Sequence, residues 1–145
     1  ITAPGKVVLF GEYAVLTGAP AAVMAVNAYA SVELSPSKDD QWHFSSAGFK
    51  SHPSSYDDSE LPKDASTGFT TAALAHWGYR SLHELAQKPM HIHTDTTAFF
   101  AADKKLGLGS SAAACTATCV ALAQRLKRQT ALQEALDIHR NWQGG

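Results

Sequence analysis

The chain has 145 residues, 45% of them hydrophobic and 17% charged, with a formal net charge of -1. That length suits one domain, and the near-neutral balance supplies no basic field to draw in nucleic acid or an anionic membrane. No apolar run approaches the ~20 residues of a membrane-spanning helix, the opening residues lack the layout of a secretory signal, and the two cysteines fit a reduced, cytoplasmic setting. Val7 to Phe10, an apolar run between Gly5 and Gly11, predicts a short buried strand. Thr17 to Pro20 is a turn signal. Val23 to Leu34 predicts a second strand, with Ala30, Val32 and Leu34 on one face and Ser31 and Glu33 on the other. A polar turn over 35–40 then leads to Gln41–Ser46, whose Trp42 and Phe44 would face inward in an antiparallel hairpin with the strand before it.

Residues 47–65 are rich in Ser, Pro, Asp and Lys without a period and predict a surface loop. A helix from about Thr67 to Gln87 follows, capped by Asp64 or Ser66, with Phe69, Ala73 and Trp77 on one stripe and a break at Gly78. Met90 to Asp95 alternates as a strand and lines up His91, His93 and Asp95. Those three are a conceivable metal set, but a solvated strand face is the plainer reading. Thr96 to Lys105 leads into Lys105-Leu-Gly-Leu-Gly-Ser-Ser-Ala-Ala113. Beyond it a helix is predicted from Ser110 to Lys127, with Cys115, Cys119, Leu122 and Leu126 at helical spacing. The cysteines read as small core residues, since no further ligands for zinc accompany them. Arg125, Lys127 and Arg128 place cations at the negative end of that helix. Thr130 and Gln133 form a capping-box pattern for a last helix, whose stripe of Leu132, Leu136, His139 and Trp142 is expected to be buried. Mixed strands and helices with hairpin connections predict an α+β domain, with helices on one face of a mostly antiparallel sheet.

The glycine–serine stretch carries the chemistry. Gly107 and Gly109 let the backbone turn with positive φ and come close to a ligand. Ser110 and Ser111 open the helix, where unpaired N–H groups and the positive end of the dipole meet an anion. Phosphate is the simplest such ligand, and a serine-capped turn with no ligand is the alternative. The residues alone leave both readings open.

The start of the chain bears on that choice. Residues 3–16 read Ala-Pro-Gly-Lys-Val-Val-Leu-Phe-Gly-Glu-Tyr-Ala-Val-Leu. Together with Gly107-Leu-Gly-Ser-Ser-Ala112, in that order and at that distance, this resembles the GHMP kinases, which include galactokinase, homoserine kinase, mevalonate kinase and phosphomevalonate kinase. Pro4, Gly5, Lys6, Val7, Leu9, Gly11, Glu12 and Val15 match the first motif. The resemblance implies the N-terminal GHMP domain over 1–145, a ribosomal-protein-like βαβ fold with a left-handed crossover. It implies ATP and Mg2+ as cofactors and a small-molecule phosphoryl acceptor as partner. Gly107, Leu108, Gly109, Ser110, Ser111 and Ala112 would wrap the phosphates. Ser110 would bond phosphate oxygens, Ser111 would hold magnesium, and Lys105 would add charge. Lys6 would stand near the transferring phosphoryl group, and Glu12 would help hold the active site together.

Within that family, Gly11-Glu-Tyr-Ala-Val-Leu16 looks like the mevalonate-pathway enzymes, and Tyr13, Lys105 and His139-Arg-Asn-Trp-Gln-Gly144 look like phosphomevalonate kinases. Mevalonate kinase, a divergent kinase and a non-catalytic binding module of the same fold are the alternatives. The resemblance also implies a C-terminal domain that this chain does not include. The catalytic aspartate and a second magnesium ligand are expected beyond Gly145, since Arg140 stands at the spacing of the acidic metal ligand of mevalonate kinases, with Asp137 and Glu134 only nearby. The 145-residue chain alone is therefore expected to turn over little or nothing, and apolar surface left exposed could support a homodimer.

Overall fold

A computed structural model describes residues 1–49, 52–57, 60–63, 65–129 and 132–143. The fold is α+β. Five strands form a mixed sheet in the order β1-β2-β5-β3-β4. They are β1 (Thr2–Phe10), β2 (Ala22–Pro36), β3 (Trp42–Ala47), β4 (Ser54–Tyr56) and β5 (Met90–Asp95). Neighbours are antiparallel except β3 and β5, which run parallel with Phe44 opposite Ile92. Three helices complete the domain: α1 (Phe69–His76), α2 (Ser110–Arg125) and α3 (Leu132–Trp142). Helix α2 lies across β1, β2 and β5, and α1 and α3 pack on α2 and on each other. The core sits between the layers. Ala28, Ala30, Val32, Phe44 and Ile92 meet Ala113, Ala117 and Leu122 there, with Trp42, Leu74 and Phe99 fully enclosed. Small residues on both faces let helix and sheet approach closely, so loss of one methyl group would be felt. No described helix is long and apolar enough to cross a membrane.

The structure corrects several expectations. β1 begins at Thr2, five residues earlier than predicted. Pro4 is tolerated because β1 is an edge strand, where a missing N–H breaks no ladder on the open side. The strand is not buried throughout, since Leu9 and Phe10 are 58% and 63% exposed. β3 does not form a hairpin with β2. Instead β5 takes the edge of β2, from Ser31 opposite Asp95 to Pro36 opposite Met90, and β3 lies beyond β5. The turn from β2 to β3 is set by Asp39 Oδ1, which accepts from Gln41 N–H and Ser37 Oγ, both at 3.0 Å. The predicted loop contains β4, a short polar edge strand paired with β3.

Helix α1 stops at His76, because Gly78 takes φ 86° and turns the chain. Leu82–Glu84 is a separate 3-10 turn, boxed by Ser81 and Glu84. The N-cap of α1 is Gly68; Ser66 lies in the 3-10 turn before it, and Asp64 is outside the described residues. Thr130, half of the predicted capping box, is also outside them, while Gln133 donates to Asp137 Oδ1 at 2.9 Å. The stripe of α3 is rotated from the predicted one. Ala135 and Ile138 are buried, whereas Leu132 and Leu136 are 79% and 59% exposed. A narrow side chain at 135 lets α3 approach α2, where Cys115 Sγ donates to Ala135 O at 3.6 Å. Cys115 and Cys119 are buried core residues, and the hydrogen bond to Cys119 together with burial pushes the Cys115 thiol up.

His91 and His93 are bridged by Ser45 Oγ, 2.7 Å from His91 Nε2 and 2.7 Å from His93 Nδ1. Asp95 accepts from Thr97 N–H and Oγ. No cluster of three or more His, Cys, Asp or Glu suited to a metal occurs among the described residues. Burial, then the neighbouring His93 and His43, hold His91 below its usual 6.5, with Glu33 opposing. A histidine lowered in the folded state takes up its proton more readily when unfolded. Its contribution is therefore complete above pH 6.5 and lost as the pH falls through the folded value. His91→Gln retains a partner for Ser45 and removes the titration. Urea midpoints taken from about pH 7.5 down to about pH 5 should fall less in the variant than in the wild type. Parallel curves would show that His91 does not carry the effect.

Candidate functional site

The two glycine-bearing stretches, far apart in sequence, meet at one backbone hydrogen bond: Lys6 N–H donates to Leu108 O at 2.8 Å. Gly5 makes the approach possible. A Cβ there would stand 2.5 Å from Phe99 Cε1 and 2.6 Å from Leu108 O. The Lys6 side chain then runs along Gly109, where a Cβ would lie 3.1 Å from Lys6 Cγ and 3.4 Å from Lys6 Cε. Lys6 is exposed, so its ammonium group keeps its water while its stem lies on the loop.

The loop is delivered by a small hairpin. β6 (Phe100–Ala101) and β7 (Lys104–Lys105) pair across Ala102 and Asp103, both at positive φ. Leu106 N–H then donates to Phe99 O at 2.9 Å. Lys105 is exposed at the foot of the loop, Gly107 has open space around it, and the half-buried Leu108 anchors the turn on the core. Gly109 takes φ 74° and ψ 33° as the N-cap of α2 and contributes no capping side chain. The first helical bond is Ala113 N–H to Gly109 O at 3.0 Å. The N–H groups of Ser110, Ser111 and Ala112 thus have no partner within the helix and point out of its positive end.

Ser110 is fully buried, and its Oγ has no hydrogen-bond partner among the described residues. Leaving such a hydroxyl unpaired costs about 1–3 kcal/mol, which makes it an orphan in need of an acceptor or donor. Ser111 is half-buried and faces the helices. Its Oγ lies 3.1 Å from His139 Nε2 on α3. Burial holds His139 below the usual imidazole range. Glu12 is exposed in the turn after β1 and makes no hydrogen bond or ion pair among the described residues. The structure therefore gathers Lys6, Lys105, Gly107, Leu108, Gly109, Ser110, Ser111 and Ala112 around one helix mouth and leaves Glu12 without a contact there.

Two features of this region escaped the sequence reading. One is the Ser111–His139 contact. The other is a cavity of about 280 Å³ beside Ser111, lined by Phe49, Ser66, Thr67, Phe69 and Trp142 and by no charged side chain among the described residues. A larger concavity of about 870 Å³ is an open groove outside α1, lined by Lys63 and Arg80 among others and by no residue of the glycine–serine loop.

Known proteins share the fold that carries this geometry. Residues 68–145 match the family model for the GHMP kinases N terminal domain. Among solved structures, phosphomevalonate kinase from Streptococcus pneumoniae, in complex with phosphomevalonate and AMPPNP, superposes with a TM-score of 0.67 at 20% identity. The Lin0012 protein from Listeria innocua gives 0.73 at 28%, and mevalonate kinase from Methanococcus jannaschii 0.72 at 20%. The chain is covered to 96%, 99% and 96% in these three, but spans only 40%, 42% and 44% of their lengths. No curated protein sequence matches it.

Contact between strand and loop leaves no room for a methyl group at Gly5. Gly5→Ala should lower the unfolding free energy by about 1–3 kcal/mol, the usual cost of forcing extra volume into a packed site. Urea denaturation measures it, and an unchanged midpoint would mean that β1 and the loop do not approach this closely.

Proposed function

Because the chain belongs to the GHMP kinases, we propose that its protein is an ATP-dependent kinase that transfers a γ-phosphoryl group to phosphomevalonate. One observation carries the reading. The Lys6–Leu108 hydrogen bond puts a cation, a positive-φ glycine turn and an uncapped helix start at one place. Such a site neutralises phosphate charge with fixed N–H groups, which need not reorganise as the phosphoryl group moves, and with a lysine beside them.

The residues fit a triphosphate and its metal. The orphaned Ser110 hydroxyl and the open space at Gly107 suit phosphate oxygens. Ser111 Oγ would hold magnesium, an ion that usually keeps most of its water and needs few protein oxygens. Bound there, magnesium would supply positive charge against the negative charge that develops as the phosphoryl group leaves. Lys6 and Lys105 add positive charge from the two sides of the loop. Lys6, lying along Gly109, is the better placed to follow the transferring group. The uncharged cavity beside Ser111, walled by aromatic rings and hydroxyls, suits the neutral nucleoside portion better than an anionic acceptor.

The choice of phosphomevalonate rests on Tyr13, Lys105 and the segment from His139. Mevalonate is the alternative acceptor, and a non-catalytic module of the same fold is the alternative role. Since the solved relatives are more than twice as long, catalysis is proposed for the whole protein and not for these 145 residues. A coupled assay of ADP release by that protein should give turnover with phosphomevalonate and little with mevalonate. Lys6→Met should reduce kcat by about 100- to 1,000-fold, the scale for removing one charge-stabilising group. Turnover on mevalonate instead would reassign the acceptor, and full activity in Lys6→Met would remove Lys6 from the mechanism.

A further inference from the structure

We infer that His139 is a positioning residue, which turns the Ser111 hydroxyl so that its lone pairs face the metal of a bound nucleotide. The inference rests on the nucleotide reading above. A serine hydroxyl that coordinates a cation does so through oxygen, so its proton must point to some other acceptor. In the first turn of a helix Ser111 could satisfy that proton on its own backbone, which would aim the oxygen differently. His139 Nε2, at 3.1 Å, offers an acceptor from outside the helix.

The imidazole is held for this task by its neighbours. Phe69, the first residue of α1, lies 5.9 Å from it between ring centroids with a tilt of 34°, and also contacts Trp142 at 5.2 Å. Three helices thus converge on one hydroxyl: α2 supplies Ser111, α3 supplies His139, and α1 supplies the ring that fixes the imidazole plane. Arg140, which stands next in the chain, is exposed. Imidazole is a poor ligand for magnesium, which prefers oxygen. The residue that faces Ser111 from α3 therefore acts on the hydroxyl and not on the ion.

Two variants and one control separate this role from plain packing. His139→Phe keeps a ring against Phe69 and removes the acceptor. His139→Gln places an amide oxygen near the lost Nε2. Ser111→Ala removes the hydroxyl. The readout is AMPPNP affinity by titration calorimetry, with magnesium and with a chelator, on protein whose near-ultraviolet circular dichroism matches the wild type. His139→Phe should weaken binding about fivefold with magnesium, the scale of one hydrogen bond, and leave metal-free binding unchanged. His139→Gln should restore most of the loss, and Ser111→Ala should abolish the gain that magnesium brings. Equal weakening with and without magnesium in His139→Phe would make His139 a packing residue only and overturn the inference. A magnesium gain that survives in Ser111→Ala would instead overturn the metal role of Ser111, and this inference with it. Absence of AMPPNP binding by the wild type under both conditions would locate the failure in the nucleotide reading itself.

Discussion

The hydrogen bond from Lys6 N–H to Leu108 O decides what kind of site this molecule has. Without it, the edge strand with its exposed lysine and the glycine turn that enters the helix would be separate features. With it, a cation and a row of unclaimed N–H groups share one mouth. The bond depends on Gly5, which alone leaves room for Leu108 O and the edge of Phe99. Phe99 is fully enclosed by the core, so the geometry of the mouth is tied to the packing of the whole domain. A core side chain thereby limits how the loop can move.

The helix behind the loop is built for the same end. Ala113, Ala114 and Ala117 keep its buried face narrow, so α2 packs directly on β1 and β2. Larger residues would raise the helix off the sheet and carry the N–H groups away from Lys6. Electrostatics and packing are therefore not separate here. The alanines that fill the core also set where the positive end of the helix lies.

Elements with a strong local signature were legible in the sequence. The alternation of Met90 to Asp95 marks β5 to the residue, and the run from Ser110 marks α2 to within two residues of its end. The residues of the mouth were legible too, because glycine and serine at those positions have a reason that does not depend on the rest of the fold. What could not be read was anything decided by a partner far away in sequence. Nothing in Gln41–Ser46 says that β5 will slip between it and β2, since both strands offer the same apolar alternation. The face that α3 buries depends on Phe69 and Cys115, and so the leucines that dominate its apolar pattern ended on the outside. His139 was misread for the same reason: as one apolar-stripe position among four, it carried no sign that Ser111 would stand opposite.

The edge formed by β1 has a further consequence for how this protein behaves in company. An open strand with apolar Leu9 and Phe10 near its end is a template on which another extended chain could add itself. Here the template is spoiled. The register of β1 against β2 shifts between Pro4 and Gly5 and again between Val8 and Phe10, and Pro4 has no N–H to offer. An incoming strand would find no long run of evenly spaced donors and acceptors. The irregular register beside Gly5 and Lys6 thus also makes this edge a poor template for amyloid-like growth, so that one stretch of β1 bears on both the loop contact and the open edge.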